Sequence, residues 1–447
     1  MSPYEWYAVA GILVFAWIAA LYYATHKWSG AKMLEARGFS MYGPFLMWRT
    51  KRGRGLIEKI STRRRLWAAY GDLAIFLCGV AAIVMMALLV FTATKVTSIS
   101  AENAPDPENM LGLPGINQYI PLWYGIFALA IALIVHEGAH GILMRAGDIK
   151  LKSLGLLFLI FPMGAFAEQD EADMNNAPRR KRMRAMAVGP AANLIVAFVS
   201  VLVFSMVLMP AVSVARGGVG IVEVPDDGPS NGILEPGMIL TSFNGTAIAT
   251  RDDFVGAIAN ASAGQTVVVE AYSGDAWASY TVVLGDKSNY TGVASDAGRG
   301  YLGVVSTTVT TDAFHPIGDA RTPSALLESS LTFISLPLIG LSPIQGAQAD
   351  FYEVSGPLDA GTFWLVANAI YWIFWLNLMV GLTNVLPAYP LDGGFIFKDW
   401  MDKLYAKLGL FGGVRERQAQ AAEKLVLAMS FAVLFLILWQ MIGPRIM

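Results

Sequence analysis

The sequence predicts a polytopic α-helical membrane protein with about six transmembrane helices and an inserted, extracytoplasmic β-rich domain. Three observations predict this fold class. Hydrophobic residues make up 55% of the 447 residues and charged residues only 15%, which is more apolar than the composition of soluble globular domains. Several apolar stretches reach the roughly 20 residues that a membrane-spanning helix requires. The polar, glycine-rich stretch 214–305 interrupts these apolar segments.

Six apolar stretches are long enough to span a bilayer. They lie at 4–24, 71–93, 121–144, 186–209, 362–386 and 425–442. No cleavage-site pattern flanks the first stretch, so we expect it to stay in place as a membrane anchor. The sequence therefore predicts a multi-pass membrane protein.

Two shorter apolar stretches are not counted as spans. The stretch 151–167 is too short to cross comfortably, and its end, from Pro162 onward, favours a re-entrant loop or hairpin. The stretch 324–344 contains Glu328 and Pro337, which favour an interfacial helix. A seventh span there would also change the membrane side of the later segments. Asp392, after the fifth long segment, would then lie on the opposite side from His136 in the third.

The positions of lysine and arginine predict which loops face the cytoplasm. Eleven of these residues lie in 25–70 and eight in 145–185, whereas 96–120 has none. Cytoplasmic loops of membrane proteins carry an excess of positive charge. We therefore expect a protein of the cell membrane with 25–70, 145–185 and 397–424 inside, and 96–120 and 210–360 outside.

The net charge of −2 does not indicate partners, because the charges are sorted by location along the chain. The apolar segments predict a lipid bilayer as a partner, and we expect no nucleic acid. The basic run 179–184 is interpreted most simply as a topology anchor next to anionic lipid.

The stretch 214–305 resembles a PDZ domain. A β-branched run at 220–224 precedes an Asn-Gly turn ending at Gly245, a short helix is predicted near 251–261, and further strands begin with 266–270. The resemblance implies a peptide C-terminus as a ligand, held by strand addition outside the membrane.

The third apolar segment contains the sequence Ile134-Val-His-Glu-Gly-Ala-His140, an HExxH motif. On a helix, His136 and His140 lie one turn apart on the same face, a spacing that suits two imidazole ligands of one tetrahedral zinc ion. Glu137 then lies beside the metal, where a carboxylate can act as general base towards a water molecule. Ionisable groups inside a membrane segment indicate function, because burying them is costly.

A catalytic zinc usually takes a third protein ligand, and the end of the fifth apolar segment offers Asp392. Pro387 and Pro390 are expected to stop the helix before this residue. An unwound aspartate at membrane depth is tolerable only where it lines a polar cavity. Since the predicted topology places His136 and Asp392 towards the cytoplasmic ends of their segments, the two residues can meet. Two histidines and one carboxylate favour zinc or iron.

Three motifs together resemble the site-2 protease family of intramembrane metalloproteases. They are the HExxH motif, Asn-x-x-Pro from Asn384 ahead of Leu-Asp-Gly at Asp392, and Gly-Pro-Ala-Ala-Asn ending at Asn193. They span roughly 121–400. A PDZ-like insert on the external side also matches the family, whereas the additional terminal segments are outside its shared motifs.

The resemblance implies the identity of the site residues and the reaction. It implies that one zinc ion per chain is bound by His136, His140 and Asp392, with Glu137 as general base. Asn384 either donates to the developing oxyanion or caps its helix end. For Asn193 we expect interhelical hydrogen bonding. The implied function is zinc-dependent hydrolysis of peptide bonds within transmembrane segments of substrate proteins, as in regulated intramembrane proteolysis.

The sequence disfavours three alternatives, because it offers Leu-Asp-Gly at Asp392 and keeps every residue of the HExxH motif. A membrane protease of the prenyl-protease type also uses HExxH but takes a glutamate as third ligand, in a Glu-x-x-x-Asp setting. A catalytically inactive relative would act as an adaptor through its PDZ-like domain. A transporter would also bury charges, but the chain shows no inverted repeat.

The predicted domains are 1–70, 71–213, 214–305, 306–361 and 362–447.

Overall fold

A computed structural model describes residues 3–26, 36–99, 104, 106–159, 161–274, 276–317, 322–338 and 341–446. Its helices are α1 Pro3–His26, α2 Arg54–Ser61, α3 Arg64–Lys95, α4 Leu122–Ala146, α5 Glu171–Asn176, α6 Arg179–Leu202, α7 Arg251–Ala259, α8 Ser288–Thr291, α9 Pro323–Ser335, α10 Ala360–Asn384, α11 Asp392–Lys407 and α12 Arg415–Ile446.

The strands form several separate antiparallel sheets. They are β1 Phe39–Tyr42, β2 Phe45–Thr50, β3 Leu151–Leu159, β4 Phe161–Gln169, β5 Val212–Val214, β6 Val219–Glu223, β7 Ile239–Phe243, β8 Thr246–Ala247, β9 Thr266–Ser273, β10 Ala276–Val283, β11 Gly285–Asp286, β12 Gly300–Tyr301, β13 Val305–Thr308 and β14 Tyr352–Val354.

Five of the described helices are long and apolar enough to cross a membrane: α3, α4, α6 with its short π-helical and 3₁₀ extension, α10 and α12. Large apolar side chains on them face outward, among them Ile134, which is 67% exposed, and Phe431, which is 72% exposed. Such surfaces require an apolar surrounding. The second to sixth predicted spans are confirmed as apolar helices. The first forms α1, whose described apolar part is Val14–Tyr23, and its crossing of the membrane stays a prediction.

The chain divides into two compact units. The first contains 1–118, 125–197 and 376–447, and the second contains 119–124 and 198–375. In the first unit, β1 to β4 form one sheet in chain order. The stretch 151–167 is therefore a hairpin, as predicted, in which Leu154 pairs with Ala167. Within this sheet β4 is an edge strand.

The second unit contains the β-rich domain that the sequence predicts. Its sheet has the order β10-β9-β7-β6-β13, with β8 beside β7. The turn after β7 uses Asn244 and Gly245 at φ of 49° and 80°, as expected for a tight hairpin turn. Helix α7 begins with a capping box between Thr250 and Asp253. The identification as a PDZ domain stays a prediction.

Helix α9 occupies the first part of the stretch 324–344. It has 13 residues, a length of roughly 20 Å at about 1.5 Å per residue, whereas the hydrocarbon core of a bilayer is about 30 Å thick. The helix is therefore too short to span, as predicted. Its location at the membrane interface stays a prediction.

One structural expectation is wrong. Asp392 does not lie in unwound chain, because it is the first residue of helix α11. The preceding helix does end before the prolines, at Asn384. The pair Gly393 and Gly394 obscured the new helix, since glycine has low helix propensity. Both glycines lie against carbonyl groups of the chain between α10 and α11, where a Cβ would collide.

Candidate metal centre

Two histidines of α4 and the first residue of α11 meet in the first unit. The rings of His136 and His140 have centroids 4.7 Å apart. The Oδ2 atom of Asp392 lies 3.0 Å from His136 Nε2 and 3.2 Å from His140 Nε2. One donor atom from each residue lies within 4.8 Å of the other two. The spacing of the histidines follows from the helix, and the chain reversal before α11 brings the carboxylate to them.

This donor set fits a metal ion. Both histidines are buried and Asp392 is nearly so, and two imidazoles with one carboxylate are ligands typical of catalytic zinc. Space beside the donors is kept open by Gly189 of α6. A Cβ at this position would lie 2.8 Å from His136 Nε2 and closer still to His140 Nε2. The site thus combines three donors with a gap that any larger residue would fill.

Helix α6 also contacts the outer nitrogen of each imidazole. The side-chain nitrogen of Asn193 lies 3.3 Å from His136 Nδ1, while its Oδ1 is buried and has no hydrogen-bond partner among the described residues. Amide nitrogen and oxygen are interchangeable by a half-turn of the side chain. In the reversed orientation Oδ1 accepts a hydrogen bond from Nδ1–H, which satisfies the buried oxygen and leaves Nε2 unprotonated for a metal.

The second histidine is oriented by a backbone carbonyl. Its Nδ1 lies 2.6 Å from the carbonyl oxygen of Ala185. Since a carbonyl only accepts, His140 Nδ1 carries the proton, which leaves Nε2 available to a metal ion. His140 is thus held in the tautomer that metal ligation requires, and His136 takes the same tautomer when the Asn193 amide is in the reversed orientation.

The carboxylate of Glu137 is held by the sheet of the first unit. Its Oε2 accepts a hydrogen bond of 2.8 Å from the backbone N–H of Ala167 in β4. Strand β4 is an edge strand of this sheet, so the N–H groups on its outer side have no neighbouring strand to pair with. The N–H of Ala167 donates to the Glu137 side chain instead. The contact fixes the carboxylate beside the two histidines that flank it on α4.

Ion pairs join α11 to α6. Arg182 donates to both carboxylate oxygens of Asp399, with Nε at 3.2 Å and Nη2 at 2.5 Å. Arg179 pairs with Asp402, one turn further along α11, through a single contact from its Nη2 to Oδ2. The basic run 179–184 is thus more than the topology anchor that the sequence suggested, because its arginines bind carboxylates of neighbouring helices. These pairs set the position of the helix that begins with Asp392.

Comparison with known proteins identifies the family. A family model for peptidase family M50 matches residues 124–437, more than half of the chain. The chain belongs to peptidase family M50. Members of M50 are membrane-embedded zinc metallopeptidases and include the site-2 proteases, so the resemblance drawn from the motifs is confirmed.

This M50 chain is also similar to Uncharacterized protein MJ0971 of Methanocaldococcus jannaschii. The two are 25% identical over 373 residues, which cover 83% of this chain and 81% of the relative. The similarity therefore extends beyond the segment that the family model matches.

The structure brings together most of the predicted M50 site. His136, His140 and Asp392 form one group, and Glu137 lies on the same helix as the histidines. Asn384 is the last residue of α10, and its Nδ2 donates to the carbonyl of Val380 one turn earlier, at 3.0 Å. Among the described contacts none joins Asn384 to the three donors. This is the helix-end contact that the sequence left open, and the oxyanion role stays a prediction.

Sequence reasoning missed two contacts of the M50 site and the identity of the partner in a third. The interhelical hydrogen bond expected of Asn193 is present, but its partner is a metal-ligand candidate, His136. The contributions of Ala185 and Ala167 come from backbone atoms and leave no side-chain signal. The one signal in the sequence for a role of Asn193 at the site was its place in the motif Gly-Pro-Ala-Ala-Asn, which begins at Gly189.

Proposed function

We propose that this M50 chain hydrolyses peptide bonds within transmembrane segments of other membrane proteins, as in regulated intramembrane proteolysis. The supporting observation is the meeting of His136, His140 and Asp392 at helices of a membrane protein, with Glu137 beside them. The proposed location is the cell membrane, with this site towards the cytoplasmic side and the PDZ-like domain outside.

In this proposal one zinc ion per chain binds to His136 Nε2, His140 Nε2 and a carboxylate oxygen of Asp392. Bound zinc supplies a positive charge that polarises a carbonyl and lowers the pKa of water to about 7. The protein holds the two imidazoles in the required tautomer through Asn193 and Ala185. Gly189 keeps the neighbouring space free.

Glu137 is the proposed general base. Its carboxylate takes a proton from the attacking water and then donates it to the departing amine of the substrate. The N–H of Ala167 fixes one carboxylate oxygen, which leaves the other for the water molecule. Asn384 is proposed to donate to the oxyanion of the tetrahedral intermediate, which requires its amide to leave Val380.

The proposed substrates are transmembrane helices already shortened by an earlier external cut. A helical peptide bond hides its carbonyl in the backbone hydrogen bonds, and a bilayer offers no water to replace them. The substrate must therefore unwind locally before it reaches Glu137. The β-rich domain is proposed to select substrates by size or to bind a newly made C-terminus. Deleting 214–305 without any change in substrate selection would contradict that role.

The proposed reaction is tested with the purified full-length protein and a model single-span substrate in detergent. We expect cleavage that stops with a zinc chelator, returns with added zinc, and maps by mass spectrometry to a bond inside the apolar segment. Cuts confined to the flanking polar regions would contradict intramembrane cleavage. Bound zinc without cleavage of any of several substrates would favour an adaptor.

Substitution of Asn193 tests its role in orienting His136. We expect Asn193→Ala to weaken zinc affinity by about 10- to 100-fold, the usual effect of losing an outer hydrogen bond to a metal-ligating histidine. Asn193→Asp should retain much of the affinity, because a carboxylate also accepts from Nδ1–H. Zinc titration against a competing chelator measures both, with Ser200→Ala on the same helix as control. Equal affinity of the Ala and Asp variants would contradict the assignment.

A further inference from the structure

A cavity with several charged side chains in its lining lies in the first unit, apart from the metal centre. Its volume is about 290 Å³, and its lining residues come from α3, the end of α4 and the turn after it, and α6. Four lining side chains are cationic and one is anionic, an excess of three positive charges. They are Arg64, Arg65, Lys181, Arg184 and, as the anion, Asp148.

The cavity lies at a boundary of the membrane-spanning region. It is bordered by the beginning of α3, the end of α4 and the beginning of α6, all three of which are candidate spans. One turn into α3, Trp67 and Tyr70 pack edge to face with centroids 6.0 Å apart, and such residues are enriched where a membrane meets water. Leu66 is 56% exposed on the same turn. The first two turns of α3 therefore supply both cationic lining residues and an exposed apolar side chain.

The positive charge of the cavity is only partly compensated. Asp148 binds two cations at once, Arg64 Nη2 at 2.7 Å and Lys181 Nζ at 3.3 Å. Within the described part of the chain, Arg65 has no ion-pair partner. Asp148 therefore pairs with two cations, and Arg65 has no anionic partner among the described residues.

Arg184 anchors the inner wall. Its guanidinium binds both oxygens of Asp72, at 2.7 and 2.6 Å, but Arg180 binds the same carboxylate. Its side chain is only 19% exposed, and its stem passes against Gly71, where a Cβ would lie 2.8 Å away. Because one carboxylate is shared by two arginines, the positive charge of Arg184 is only partly compensated, and such a held guanidinium is a favourable partner for phosphate oxygens.

We propose that this cavity binds the phosphate of an anionic phospholipid, with the acyl chains lying along the exposed apolar face of α3. Three considerations carry this inference. They are the excess of cations in the lining, the lack of an ion-pair partner for Arg65 among the described residues, and the exposed Leu66 and the aromatic pair on the first two turns of the helix that supplies Arg64 and Arg65. Basic cavities between membrane helices are a recurrent site for anionic headgroups. The proposal is independent of the proteolytic function.

The test measures lipid binding to the full-length protein in neutral detergent by native mass spectrometry. We expect phosphatidylglycerol to bind in preference to phosphatidylcholine, and Arg65→Gln/Lys181→Gln to weaken its binding about tenfold or more. The matched control, Lys59→Gln/Arg63→Gln, removes the same charge from exposed positions outside the cavity and should retain wild-type binding. Equal weakening in both double variants would overturn the proposal.

Two further measurements distinguish a lipid phosphate from free phosphate and avoid the risk that a variant misfolds. Inorganic phosphate should compete only weakly with phosphatidylglycerol. Full competition would indicate that the cavity binds a soluble anion rather than a lipid. In the wild type, a phosphatidylglycerol analogue with a photoreactive headgroup should crosslink to the beginnings of α3 and α6 or to the end of α4. Crosslinks elsewhere would overturn the assignment without relying on any variant.

Discussion

Replacing Glu137 by glutamine is expected to lower the cleavage rate by about 10²- to 10⁴-fold, the usual contribution of a positioned general base. Glutamine keeps the shape of the side chain, and its Oε1 still accepts from the N–H of Ala167. It lacks the basic oxygen that takes a proton from water. Because Glu137 is not among the three metal donors, zinc content should remain that of the wild type.

The measurement is single-turnover cleavage of the model substrate, with zinc determined on the same samples. Glu171→Gln, an exposed substitution in the first turn of α5, is the control and should cleave at the wild-type rate. Two results would contradict the assigned role: unchanged cleavage by Glu137→Gln, or loss of zinc from it. The second would indicate that Glu137 supports the metal rather than the proton transfer.

Gly189→Ala is expected to remove zinc binding and cleavage together. The added methyl group would lie 2.8 Å from His136 Nε2 and closer to His140 Nε2, in the space that an ion shared by these nitrogens requires. Overpacking of a tight site costs about 1 to 3 kcal/mol, and displaced ligands add to this. We expect zinc affinity to fall by at least about 100-fold, more than for the loss of an outer hydrogen bond.

The matched control lies in the HExxH motif itself. Gly138 stands between the two histidines, yet a Cβ there meets nothing within 4 Å. Gly138→Ala should therefore keep zinc and activity, and it should stabilise α4 slightly because alanine favours helices. Zinc titration and thermal unfolding of both variants measure the difference. Normal zinc affinity in Gly189→Ala would contradict the proposed position of the ion.

The long helices and the donor types were predictable because they depend on local pattern. An apolar run of sufficient length forms a membrane helix wherever it lies, and HExxH places both imidazoles on one face of α4 through helix geometry alone. Asp392 was predictable as the third donor because it follows two prolines at the end of an apolar segment. Its place at the start of α11 was not, because Gly393 and Gly394 act against a helix locally.

The sequence by itself predicted the membrane class, a re-entrant loop or hairpin at 151–167, and the three candidate metal donors with Glu137 as the proposed base. Only the tertiary structure decided how the site is held: Asn193 and Ala185 orient the imidazoles, Ala167 fixes Glu137, and arginines of α6 bind the carboxylates of α11. These contacts join segments far apart in the chain, and two of them use backbone atoms. The local pattern of the sequence does not predict such contacts, because they form only when the helices and the sheet pack together.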